Sequence, residues 1–228
     1  MSPSASPILR PAYSRAERLS DAVVHVIGLV LVLVSVPVLI TLAAMLRGDG
    51  AAIAGTVIYG VTFLAMILCS ALYNMIPSKA WGALLQRLDH SAIYWKIAGT
   101  YTPFTLLSGQ GAWLLGGLWT AALAGTGLKV IVGDRYRWAA LSLYLAMGWA
   151  GVVAGWPLFA TFSGPVLTLV ALGGLLYTGG VAFYLWERLP FHNTIWHVFV
   201  LVASLLFFAA VTTHLVVTSD LAGAVTAR

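Results

Sequence analysis

Uncharged stretches dominate the chain and set its length scale. They run over 22–46, 50–78, 97–128, 138–186 and 189–219. A helix needs about 20 apolar residues to cross the hydrocarbon core of a bilayer. Ala22–Leu46 therefore predicts one span and Ala51–Ile76 a second. The 49 residues of 138–186 are too many for one helix, and turn formers cluster at Gly155-Trp156-Pro157 and Ser163-Gly164-Pro165. That break predicts spans over 138–158 and 166–186. Ser108-Gly109-Gln110-Gly111 likewise divides a span over 91–107 from one over 112–132, and 194–218 makes the last. The expectation is an all-α integral membrane protein, a seven-helix bundle forming one domain over 17–220. A loose cytoplasmic tail over 1–16 precedes it and a short outer tail over 221–228 follows. The runs are too long and too uniformly apolar for the alternating strands of an outer-membrane barrel. The first run is longer than the apolar part of a signal peptide and lacks a small-residue cleavage pattern.

Composition sharpens this picture. Only 8% of residues are charged, against about 25% in soluble domains, so a water-soluble surface cannot be built from this chain. The formal charge of +5 does not point to nucleic acid, because the basic residues fall in short loops between spans, where they set orientation. Nine of them (Arg10, Arg15, Arg18, Lys79, Arg87, Lys129, Arg135, Arg137 and Arg188) lie on the N-terminal side of a seven-span arrangement. Arg47 and Arg228 lie on the other. The asymmetry predicts a cytoplasmic N-terminus and an outer C-terminus. Cys69 is the single cysteine, which excludes an intrachain disulfide and a thiolate metal cluster.

Polar residues inside spans are costly and tend to face the bundle interior. Here they share a depth. His25 opens span one, Ser70 and Asn74 close span two, Asp89 and His90 open span three, and Asn193 and His197 open span seven. Ser70/Asn74 and Asn193/His197 are both i,i+4 pairs, so each pair occupies one helix face. The pattern predicts a polar cavity at the cytoplasmic end. Plainer roles stay open beside it: an interfacial His25, Asp89 as a helix cap, and Asn74 and Asn193 as interhelical hydrogen-bonding residues. His214 reads as interfacial at the outer end, and His192 as solvated in a cytoplasmic loop. Glycines 116, 117, 125, 127, 173, 174, 179 and 180 read as positions of close helix packing.

Several blocks carry a family resemblance. Ser70-Ala-Leu-Tyr-Asn74, Arg87-Leu-Asp-His-Ser-Ala-Ile-Tyr94, Ile97-Ala-Gly-Thr-Tyr-Thr-Pro-Phe104 and Pro190-Phe-His-Asn-Thr-Ile-Trp-His197 resemble the bacterial hemolysin III family. That family lies within the progestin and adipoQ receptor superfamily, a group similar to the alkaline ceramidases. Glu17-Arg-Leu-Ser-Asp21-Ala-Val-Val-His25 resembles the family's acidic–polar–His motif at the start of span one. The resemblance covers about 13–218. It implies seven helices, a cytoplasmic N-terminus and an inner-leaflet zinc site. The family's zinc ligands are a His ending Ser-x-x-x-His in span two and two His in His-x-x-x-His at span seven, with an Asp of span three beside a metal-bound water.

Carried over by position, Ser70, Asp89 and His197 match, but Asn74 and Asn193 stand at two of the three His positions. His192 is shifted by one residue, about 100° around a helix. An amide is a weak, neutral oxygen donor better suited to hard cations. The family zinc site is therefore expected to be incomplete, with His197 and Asp89 its remaining metal residues. No other cofactor is implied.

The reading that follows is a lipid-sensing or membrane-homeostasis protein of a bacterial cytoplasmic membrane, holding a lipid or fatty-acyl ligand in the bundle. The alternative is a metal-dependent lipid amide hydrolase using Asp89 and Ser70. A pore-forming cytolysin fits less well, since the polar cluster occupies one leaflet only. A retinal-type chromophore protein would carry its lysine in the last span, whereas Lys96 lies in span three. Lys96 is seven residues, about 10.5 Å, from Asp89 on the same face. Its ammonium is expected to bend toward Asp89 and supply the positive charge that the family obtains from zinc.

Overall fold

The computed structural model describes residues 13–76, 78, 80–132 and 137–226, with backbone alone for 132 and 221–226. The described residues form helices α1 (Arg15–Leu46), α2 (Gly50–Met75), α3 (Gly82–Ser108), α4 (Ala112–Val132), α5 (Arg137–Ala154), the single turn α6 (Trp156–Phe159), α7 (Gly164–Leu185) and α8 (His192–Thr226). Among the described residues there is no strand. Five helices, namely α1, α2, α4, α7 and α8, are long and apolar enough to cross a membrane. α3 carries Arg87, Asp89 and Lys96 within its length, and α5 has only 18 residues.

Helix ends follow local chemistry. α1 starts with a capping box: the Ser14 hydroxyl accepts from the Glu17 amide, and the Glu17 carboxylate accepts from the Ser14 amide. The helix therefore begins inside the stretch expected to be a loose tail; residues 1–12 lie outside the described residues. Asp49 caps α2 by accepting from the Ala52 amide. Gly109 ends α3 in the left-handed region that glycine tolerates, at φ 68°. Gly155 and Pro157 stop α5 and form α6, so the fifth long helix ends at Ala154, before the expected 158. α3 starts at Gly82, nine residues before the expected boundary. Asp89 is thus inside the helix and not its cap, because Leu84, Leu85 and Gln86 continue the helix through the polar stretch. At the other end, α8 carries its backbone through 221–226, where a tail was expected.

The outer face of α1 presents Val23, Val26, Ile27, Val30, Leu33, Val34 and Val38, and α7 presents Leu167, Leu172 and Leu175. An apolar exterior over hydrogen-bonded helices is the arrangement a bilayer requires. Exposed tryptophans sit at helix ends: Trp81 before α3, Trp113 in the first turn of α4, Trp138 in that of α5, Trp156 in α6 and Trp186 after α7. α2 and α3 form the centre, where Tyr59, Phe63, Tyr94 and Phe104 pack with Val211 and Leu215 of α8. Threonine hydroxyls within this core donate to carbonyls one turn back, as Thr56 does to Ala52 and Thr102 to Ala98.

Two sequence expectations about packing need correction. Gly125, Gly173 and Gly180 lie against Tyr94, Phe207 and the Phe199–Trp196 pair, but a Cβ at Gly116, Gly117 or Gly127 would meet nothing within 4 Å. Those three face away from neighbouring helices. His214 is not interfacial. It is 1% exposed, between the rings of Phe104 and Phe162, because α3 and the turn after α6 close over it.

Candidate functional site

The starts of α1 and α8 are fastened together. Phe191 adopts φ 60°, and its amide donates to the Glu17 carboxylate at 2.9 Å. The Ser20 and Thr194 hydroxyls meet at 3.0 Å. His192 is buried, its Nε2 lying 3.3 Å from the Tyr13 hydroxyl. This corrects the reading of His192 as solvated: it is the first residue of α8, covered by Tyr13. Burial beside His192 pushes the Tyr13 phenol up to about 12, with nearby Tyr73 and acidic groups adding to the shift.

One turn deeper, Asp21 and His25 share a face of α1 and turn toward α8. His197 Nδ1 donates to Asp21 Oδ1 at 2.5 Å. His25 Nδ1 lies 2.8 Å from the Asp21 carbonyl oxygen and 3.6 Å from Asp21 Oδ2. A carbonyl oxygen only accepts, so Nδ1 carries the proton and Nε2 is left as an acceptor. That nitrogen receives the Ser70 hydroxyl at 3.1 Å. The His25 and His197 rings meet edge to face, 4.5 Å between centroids. The side chains of Asp21, His25 and His197 are 9%, 3% and 10% exposed.

The two asparagines extend the same network. Asn74 Nδ2 donates to the Ser70 carbonyl at 3.0 Å and lies 3.4 Å from its hydroxyl. Asn193 Nδ2 donates to Asn74 Oδ1 at 3.4 Å. Residues of α1, α2 and α8 thus form one chain of contacts, from Asp21 through His25 and Ser70 to Asn74 and Asn193.

α3 supplies the facing wall. His90 Nδ1 accepts from the Lys129 ammonium at 2.9 Å, and the His90 carbonyl accepts from the Tyr144 hydroxyl at 2.8 Å. His25, Ser70, Asn74, Asp89, His90, Lys96, Asn193 and His197 all line one cavity of about 1310 Å³. The cavity follows α3 from Asp89 to Phe104, about 22 Å at 1.5 Å per residue. Phe159 and Phe162 lie at its far end, and Tyr144, Gly148 and Tyr177 line it from α5 and α7.

Lys96 behaves differently from the sequence expectation. Its ammonium donates to the Thr100 hydroxyl at 2.9 Å, and lies 4.1 Å from the Tyr59 ring centroid and 4.5 Å from that of Phe63. It therefore points along α3 away from Asp89. Two aromatic faces and a hydroxyl one turn ahead offer a nearer electrostatic partner than a carboxylate about 10.5 Å back along the helix axis.

The inherited zinc positions do not fit the metal. Asn74 and Asn193 are bonded to each other, and Asn74 also to the α2 backbone, so no imidazoles converge there with His197. A different trio does converge. One donor atom from each of Asp21, His25 and His197 lies within 4.8 Å of the others. Sequence reasoning quoted Asp21 only as the polar position of a motif. Its i,i+4 spacing from His25 was the available signal, obscured by placing the first span at 22.

Comparison with known proteins identifies the family. The Haemolysin-III related family matches residues 14–208. The chain is 42% identical over 200 residues to the Hemolysin-3 homolog of Bacillus subtilis (strain 168), covering 86% of this chain and 92% of that protein. It is 39% identical over 209 residues to Hemolysin-3 of Bacillus cereus, covering 90% and 94% respectively. The human Monocyte to macrophage differentiation factor is 27% identical over 172 residues, 69% of each chain. The family match spans most of the described helices and two relatives exceed 35% identity over nearly their full length, so this membrane protein belongs to the haemolysin-III-related family.

Proposed function

We propose that the protein holds a membrane lipid or fatty-acyl chain in its cavity and acts in lipid sensing or membrane homeostasis. The carrying observation is the shape of that cavity. Amides, a hydroxyl and carboxylates gather at one end, aromatic side chains close the other, and about 22 Å of helix separates them. An amphipathic single-chain lipid has the same polarity profile, and about 1310 Å³ exceeds the usual 300–1,000 Å³ of a small-molecule pocket. Zinc-dependent hydrolysis at the family positions has less support, because Asn74 and Asn193 offer neutral amides there.

In this reading the bundle has seven spans, with the polar end of the cavity at the cytoplasmic face of a bacterial inner membrane. The tryptophans support counting α3 and α5: Trp138 and Trp156 bracket α5, as interfacial anchors do. The nine-to-two basic asymmetry supports the orientation. A C-terminal reporter would be active only outside the cytoplasm; cytoplasmic activity would reverse the assignment.

The deciding experiment is lipid extraction and mass spectrometry of the purified chain. A near-stoichiometric single-chain lipid is expected in the wild type, and a several-fold loss in Gly148→Trp. A Cβ at Gly148 meets nothing within 4 Å, so the indole enters open space on the cavity wall. Wild-type protein that is free of lipid would refute the proposal.

A further inference from the structure

We infer that Asp21, His25 and His197 form a binding site for a divalent first-row cation, zinc by donor preference, between α1 and α8. The site is displaced from the positions that the family resemblance assigns and shares only His197 with them. Two imidazoles and one carboxylate are a donor set zinc accepts, and three protein ligands leave a coordination position open. The trio meets the first requirement of such a site, since one donor atom from each residue lies within 4.8 Å of the others. It meets the second through burial, the three side chains being at most 10% exposed.

The surroundings also suit a metal. Ligating histidines characteristically give their second ring N–H to a carbonyl or carboxylate, which fixes the ring and its tautomer. His25 does this now through Nδ1 and the Asp21 carbonyl at 2.8 Å. His197 Nδ1 and the Asp21 carboxylate, 2.5 Å apart, instead share a proton that a bound cation would replace. Ser70 sits 3.1 Å from His25 Nε2 and Asn74 follows it, so neutral polar groups and not apolar ones border the trio on the α2 side. The two asparagines then have an account. The amides that removed the family ligands bond to one another and to Ser70, forming part of the polar wall beside a site whose negative charge comes from α1.

The test is metal binding by the full chain in detergent, with zinc chloride and cobalt(II) chloride as probes. Elemental analysis is expected to give about one zinc per chain, at least tenfold less in Asp21→Asn and His25→Gln, and wild-type content in Asn74→Ala and Asp89→Asn. Cobalt is expected to give the visible absorption of a tetrahedral site, lost in the same two variants. Wild-type protein that binds neither cation would overturn the inference. So would full occupancy in Asp21→Asn and His25→Gln, or a loss in Asp89→Asn equal to that in Asp21→Asn, which would return the metal to the family positions. Should the first two variants fail to fold, His25→Cys retains a donor. It is expected to keep cobalt and add a thiolate charge-transfer band; cobalt bound without that band counts against the site. Lipid content is read separately, so failure of the metal site and failure of the lipid proposal are distinguishable.

Discussion

Asp21 and His197 lie 176 residues apart in sequence and meet at 2.5 Å, joining the first helix to the last through a buried carboxylate–imidazole pair. Removing one partner of such a pair leaves the other buried without compensation, a loss of about 3–5 kcal/mol. Asp21→Ala and His197→Ala are each expected to lower thermal stability in detergent strongly. The double variant is expected to fall well short of the sum, with a coupling of about 1–3 kcal/mol in the cycle. Additive losses would show that the two side chains do not depend on each other.

Lys96→Met is expected to leave stability unchanged or to raise it. The ammonium is held by one hydroxyl and two ring faces, and a side chain of similar length and no charge fills the same space without desolvation cost. Combined with Asp89→Asn, the effects are expected to add within about 0.5 kcal/mol. Thermal unfolding of the four proteins measures this, and clear non-additivity would restore a link between Lys96 and Asp89.

Gly99→Leu is expected to destabilise the bundle by about 1–3 kcal/mol or to prevent its folding, since a side chain there overlaps the Thr62 hydroxyl where α2 and α3 touch. Gly116→Ala is expected to be neutral or to stabilise by up to about 1 kcal/mol, because its Cβ meets open space on a helix. Thermal melts should therefore show a clear fall for Gly99→Leu and no fall for Gly116→Ala.

The loop between α1 and α2 carries a pH dependence of definite sign. The Ala52 amide donates to the Asp49 carboxylate, and Arg47 adds a second bond at 2.9 Å, so its pKa lies below the ordinary 3.8. A depressed carboxylate stabilises the fold fully above its unfolded pKa and loses that contribution as pH falls through its folded value. Asp49→Ala is expected to cost about 1 kcal/mol near neutral pH. The gap in melting temperature between variant and wild type should close below about pH 3.8. A gap independent of pH would assign the loss to something other than the charged cap.

The all-helical class and several helix ends were legible because they rest on composition and turn chemistry. The breaks at Ser108–Gly111 and Gly155–Pro157 are read directly from clustered turn formers. The start of α3 was not legible, since charge marks where lipid ends and not where the helix does, and Arg87 and Asp89 sit on turns that project beyond an apolar run. At the site, the shared depth of Ser70, Asn74, Asn193 and His197 followed from counting along helices. The direction of Lys96 did not. Periodicity gives the face of a side chain, but only packing against Tyr59 and Phe63 decides whether it leans forward or back. His214 was misread for a related reason: its nearness to a helix end says nothing about Phe104 and Phe162 closing over it.

The pinning of Phe191 to Glu17 carries a consequence for how the protein is made. Synthesis proceeds from the N-terminus, so Asp21 and His25 are in place while His197 is still far from being translated. Until α8 inserts and Glu17 captures the Phe191 amide, the carboxylate of Asp21 has no His197 to receive. The cluster is therefore the last part of the bundle to be completed, and a chain interrupted before α8 leaves Asp21 with His25 but without His197. An unfinished copy therefore differs from a finished one by an incomplete polar cluster on its first helix.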